Sequence, residues 1–82
     1  MRAHVYVLFE TRNFEDHSEL DLAMVGGTYQ ELIDYYIAWK GHAPRTIDEN
    51  LVNGHPVWLL DHNEVGQAVI ARYAVGIQEI ID

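Results

Sequence analysis

The run Ala3-His-Val-Tyr-Val-Leu-Phe-Glu10 constrains this chain most. It is β-branched or aromatic at almost every step, which predicts a strand from Ala3 to Glu10. Apolar residues occupy both of its faces. It therefore departs from the apolar-in, polar-out alternation of a half-exposed strand and is expected at the centre of a sheet.

The residues after it predict the rest of a small layered domain. Thr11 to Ser18 is polar and reads as a long connecting loop. Glu19 to Val25 reads as a second strand, paired to the first as a hairpin, with Leu20, Leu22 and Met24 on one face and Glu19 and Asp21 on the other. Gly26-Gly27 ends that strand. Thr28-Tyr-Gln-Glu31 has the spacing of a capping box, in which the Thr hydroxyl accepts from the third helical amide and the Glu side chain reaches back. Tyr29, Leu32, Ile33, Tyr36 and Ile37 follow at the intervals of one helical face. Gly41, with Pro44 beyond it, is the stop, so the helix is expected over Tyr29 to Lys40. Its outer face carries Glu31, Asp34 and Ala38, flanked by Gln30 and Tyr35, with Trp39 near the boundary.

Asn53-Gly54 is a type I′ turn signal between Leu51-Val52 and Val57 to Leu60. Pro56 removes a donor, which predicts that this hairpin lies at an edge. Gln67 to Ile80 fits two periods. As a strand, Val69, Ala71, Tyr73, Val75 and Ile77 share a face; as a helix, Val65, Val69, Tyr73, Ile77 and Ile80 do. Gly66, Gly76 and the content of Val and Ile favour the strand. The expected fold class is α+β: a small antiparallel sheet with one main amphipathic helix packed on one face, in β-β-α-β-β order, the C-terminal segment being strand or helix.

With 82 residues the chain is expected to form a single domain over residues 1–82. At this size about 60–65% of the unfolded surface is buried, which limits stability. Thirteen Asp and Glu against five Lys and Arg give a formal charge of −8 with His neutral. That balance opposes direct binding to nucleic acid or to an anionic membrane. The hydrophobic fraction of 49% opposes intrinsic disorder. With no cysteine, disulfides, thiolate metal sites and a Cys nucleophile are excluded. No apolar run reaches the length of a membrane span and no signal-peptide pattern follows the start, so a cytoplasmic protein is expected.

Catalytic motifs are weak throughout. The five histidines, at positions 4, 17, 42, 55 and 62, have no metal-site spacing. Asp61-His62-Asn63-Glu64 gathers three ligand types, which more simply reads as a solvated turn or a helix cap. Ser18 stands alone as the serine, without a nucleophile elbow. Gly26-Gly27 lacks the Lys and Ser/Thr of a phosphate loop, and Glu31 in the first helical turn would repel an anion. No catalytic residue, metal or cofactor is therefore assigned.

The carboxylates form a pattern instead. Glu10, Glu15, Asp16, Glu19 and Asp21 surround the first hairpin, with about 6.6–6.8 Å between residues two apart on a strand. Glu31 and Asp34 add a helical line, about 5–6 Å apart. With so few cations, most of these charges lack an internal partner. Tyr35 beside them has the character of a binding hot spot.

His4 to Phe9, the polar loop, Glu19-Leu-Asp-Leu-Ala-Met-Val and Gly-Gly-Thr before an amphipathic helix resemble small β-β-α domains from phages and mobile elements, over about residues 3 to 40. In size, acidity and lack of catalytic motifs the chain is also similar to anti-CRISPR inhibitors and other phage anti-defence proteins. The resemblance implies a non-enzymatic inhibitor that blocks a nuclease or effector complex by direct binding. It carries no functional residue across, because those families share character rather than a motif.

The expected function is an acidic binding protein acting on a basic nucleic-acid-handling protein, through Glu15, Asp16, Glu19, Asp21, Glu31, Asp34 and Tyr35. Its carboxylates would stand in for phosphates. The chain is expected as a monomer or homodimer. Two alternatives belong to other classes: a small metal-dependent hydrolase using Asp61, His62 and Glu64, and an oligomer-forming subunit that uses Val69 to Ile81.

Overall fold

The computed structural model describes residues 2–13, 15–61 and 68–76. Five strands and one helix follow one another as β1 (Arg2–Asn13), β2 (Ser18–Gly26), α1 (Tyr29–Lys40), β3 (Ile47–Val52), β4 (His55–Leu60) and β5 (Ala68–Gly76). All the strands join in one antiparallel sheet in the order β2-β1-β5-β4-β3. The α+β, β-β-α-β-β expectation is thereby corrected: the described residues are mostly β, with a single short helix.

Long-range pairing explains the difference. The polar run after Glu10 continues β1 rather than opening a loop, because Arg12 lies opposite Glu19 on β2 and its Nε reaches Asp21 at 2.9 Å. The connection shrinks to residues 14–17. Ile47 to Asn50, polar after its first residue, becomes strand by pairing with Leu60 to Val57. The C-terminal segment enters as a central strand between β1 and β4, with Ile70 opposite both Leu8 and Trp58. Ile77, Ile80 and Val65, which entered the two competing periods, lie outside the described residues.

The helix forms where its local signals place it. Thr28 Oγ1 accepts from the Glu31 amide, and the Glu31 side chain returns to the Thr28 amide. At the other end Gly41 adopts φ 84° and donates its N–H to the Ile37 carbonyl. That left-handed cap favours glycine. Leu32 and Tyr36 carry the buried stripe against Leu8, Leu60, Ala68 and Ile70 of the sheet. Tyr6, Tyr29 and Trp58 extend this core, with the Tyr29 and Trp58 rings 4.9 Å apart.

The Asn53-Gly54 turn is present, with φ of 53° and 81°, as a type I′ turn requires. The hairpin it closes lies at one edge of the sheet, as expected, with β3 outermost and β4 inside it. Pro56 is tolerated because the ladder between β4 and β5 begins at Val57, one residue later.

A bulge divides the faces of β2. Leu8 lies opposite Met24 but Phe9 lies opposite Leu22, so Ala23 is the extra residue. Residues directly opposite share a face. Leu20 and Leu22 therefore turn away from the helix, while Met24 turns toward it. The expected single stripe of Leu20, Leu22 and Met24 is split, and Glu19 and Asp21 move to the helix side with Glu10 and Arg12.

Candidate functional site

The acidic hairpin end is assembled by that bulge. On the helix side of the β1–β2 ladder, Glu10 pairs across from Asp21 and Arg12 from Glu19. Without the register shift at Ala23, Glu19 and Asp21 would face the other way. Direct cross-strand neighbours sit about 4.5–5.5 Å apart. Glu15 and Asp16 follow in the connection and are exposed. Two side chains, Arg12 and His17, brace the cluster. Arg12 holds Asp21 and approaches Glu10 at 3.8 Å. His17 touches Asp16 at 2.7 Å and Glu19 at 3.2 Å. The side chains of Glu19, Asp21 and Asp16 are 50%, 46% and 86% exposed, so the cluster is a wet, rigidly registered surface.

The other three residues expected at this surface are placed differently. Glu31 is committed to the helix start: its Oε1 accepts from the Gly27 amide at 2.7 Å and the Thr28 amide at 3.1 Å. That is the far end of β2 from Glu19, about 20 Å along the strand. Its engagement also answers the glycine pair, since the amides of Gly27 and Thr28 bind the chain's own carboxylate rather than a phosphate. Asp34 accepts from Gln30 Nε2 at 2.8 Å on the outer helix surface. Tyr35 is 40% exposed, its ring 6.4 Å from that of Trp39. The structure thus brings together Asp16, Glu19 and Asp21 with Glu10, with Glu15 beside them in the connection. Glu31, Asp34 and Tyr35 belong to α1.

Asp61 has a structural occupation. It is buried at the end of β4, with φ 47°, where the chain leaves the sheet. Its Oδ1 accepts from the amides of Arg45 at 2.7 Å and Thr46 at 3.1 Å, and its Oδ2 from the Tyr36 hydroxyl. The Asp61 amide returns to the Thr46 carbonyl at 2.9 Å. One carboxylate thus ties the end of β4 to α1 and to the segment leading into β3. Burial opposes its ionisation, but the hydrogen bonds from Tyr36, Arg45 and Thr46, with His42 nearby, outweigh that and hold its pKa below the ordinary value. For Tyr36, burial and the bond to Asp61 push the phenol well above its ordinary range. Both oxygens of Asp61 are taken, which leaves little for a metal. His62 and Glu64, the other members of the hydrolase alternative, lie outside the described residues. Among the described residues no three His, Asp or Glu side chains are grouped to hold a metal ion.

Sequence reasoning missed Glu10 and Arg12 as partners within one face. The signal was present in the single positive charge of Arg12 among Glu10, Glu19 and Asp21, but it needed the register to be read. No helix among the described residues is long and apolar enough to cross a membrane. No protein-family model matches the chain, and no curated protein or solved structure matches it at a significant level.

Proposed function

We propose that this chain is a non-enzymatic binding protein that engages a basic, nucleic-acid-handling protein or nuclease complex through the acidic end of the β1–β2 hairpin. The observation that supports it is the register: the bulge at Ala23 puts Glu10, Glu19 and Asp21 on one face, continuous with Glu15 and Asp16. Cross-strand and along-strand spacings of about 5–7 Å make a fixed array of negative charge. A groove built to hold phosphates offers cations at the complementary positions. Occupying it would exclude DNA or RNA, the mode of action of anti-defence inhibitors. Arg12 and His17 brace the array, and Arg12 offsets part of its charge. A cytoplasmic location, where such partners meet their nucleic acids, goes with this reading.

The test is to capture partners from host extract on the immobilised chain, with nuclease-treated extract as control, and to measure the isolated partner's affinity across ionic strength. Expected is a basic partner that competes with nucleic acid and binds more weakly as salt rises. Glu19→Lys with Asp21→Lys should slow association. An affinity indifferent to both salt and this charge reversal would remove the proposal.

A further inference from the structure

The helix covers one face of the sheet and the chain supplies nothing described for the other. The middle of that second face is apolar, while Thr11, Asp48, Asn50 and His55 also lie on it by register. Val7, Phe9, Leu22, Leu59, Val69 and Tyr73 share it by register. Of the ten exposed large hydrophobic side chains among the described residues, six lie there, including Leu22 at 63% and Tyr73 at 38%. Isolated exposed apolar residues are ordinary, whereas a contiguous face of this kind marks an interaction surface.

Charge is sorted in the opposite sense. Glu10, Arg12, Glu19, Asp21, Glu49 and Arg72 all point to the helix side, by the same registers. On the open face the one charged position of the described strands is Asp48, on the edge strand β3. A chain of net charge −8 has therefore kept one broad surface almost free of charge. Such a surface offers no electrostatic handle for a charged partner and complements another apolar, uncharged sheet face. The molecule itself provides one.

The size of the face fits. With the strand lengths observed, about 3.3 Å per residue and about 4.8 Å between strands give roughly 650 Å² of projected face per copy. Two copies face to face would bury about 1,300 Å², within the roughly 1,200–2,000 Å² of a stable pairwise interface. We infer that this open face is the seam of a twofold homodimer, two sheets packed about 10 Å apart with the helices outside. In that arrangement β1 is buried on both faces, and the two acidic hairpin surfaces point outward.

The experiment is sedimentation equilibrium of the full chain from nanomolar to high micromolar concentration, with Leu22→Asp and Tyr73→Asp on the face. Leu51→Asp is the control: Leu51 is 74% exposed but lies on the helix side of β3. Expected is a mass twice 9.4 kDa for the wild type and for the control. Each face variant should keep its circular dichroism and dissociate ~10-fold or more easily. A wild type that stays at 9.4 kDa throughout, its face open or covered by another protein or by its own chain, would overturn the inference. So would a dimer that both folded face variants leave intact. If the face variants do not fold, isotope-filtered NMR on mixed labelled and unlabelled wild type decides. Contacts between copies at Val7 and Leu59 support the seam. Contacts confined to the β2 or β3 edge, or none, overturn it.

Discussion

Tyr36 on α1 donates its hydroxyl hydrogen to Asp61 at the end of β4, across 25 positions of sequence. The same carboxylate accepts two amides from the segment that enters β3. Helix, connector and sheet are thus tied at one buried anion. Tyr36→Phe removes one hydrogen bond to a charged group and is expected to cost about 1.5–3 kcal/mol. Asp61→Ala should cost more. It leaves the Arg45 and Thr46 amides without their acceptor and puts a β-carbon without a polar side chain at φ 47°. Asp61→Asn keeps an acceptor and tolerates that backbone, so it should fall between the wild type and Asp61→Ala. Urea unfolding of the three variants checks the order. Equal midpoints would show that the anchor contributes nothing.

The same pair predicts how stability depends on pH. Asp61 titrates lower in the folded chain than unfolded. Its contribution is therefore present above the ordinary carboxylate pKa, about 3.9, and is lost as pH falls through the lower folded value. Tyr36 titrates higher when folded. Its contribution is present below about pH 10 and is lost as pH rises through the folded value. Thermal midpoints should fall on both sides of that window. In Asp61→Asn the acid limb should flatten. An unchanged acid limb in that variant would assign the acid sensitivity to other carboxylates.

Arg12 separates stability from recognition. It is half exposed and bonded to Asp21, with Glu10 nearby. Exposed pairs of this kind contribute about 0–1 kcal/mol. Arg12→Gln should therefore shift unfolding little, while releasing two carboxylates at the hairpin and making the formal charge one unit more negative. If the acidic end binds a basic partner, association should become faster and more sensitive to salt. Stopped-flow or surface-plasmon association rates provide the readout. Slower association would mean that Arg12 itself contacts the partner.

How much could be read from the residues alone follows the range of the forces. Thr28, Glu31 and Gly41 act within a turn of where they stand, so the helix bounds were legible. Asn53-Gly54 fixes its own turn in the same way. The full extents of β1 and β3 were not. Thr11 to Asn13 and Asp48 to Asn50 are polar, and what makes them strand is opposite them: Glu19 across from Arg12, and Trp58 across from Glu49. Between strand and helix, the period of Val69 to Val75 was ambiguous until Ile70 found Leu8 on one side and Trp58 on the other. The candidate site divides likewise. Asp16, Glu19 and Asp21 follow from hairpin geometry. Glu31 satisfied two readings at once, cap and surface array, and the amides of Gly27 and Thr28 claim it. Asp61 looked like a turn residue because its partners are Tyr36, Arg45 and Thr46, none of them adjacent.

Gly26 tests how tightly the helix start is set against the sheet. A β-carbon there would stand 3.0 Å from Glu31 Oε1 and 3.3 Å from Leu32 Cδ2. Leu32 is fully buried and cannot move freely, whereas the Glu31 carboxylate can swing away. It would do so at the expense of its bonds to the Gly27 and Thr28 amides. Gly26→Ala is therefore expected to cost about 1–2 kcal/mol, the size of a lost helix cap. Thr28→Ala should cost about as much. The mechanism gives a sharper expectation than either value. If the alanine acts by displacing Glu31, its cost should shrink in a Glu31→Ala background, where the cap is already lost. A double-mutant cycle on unfolding free energies measures this directly. A strictly additive result would place the clash at Leu32 instead, and would mean that the helix shifts as a body.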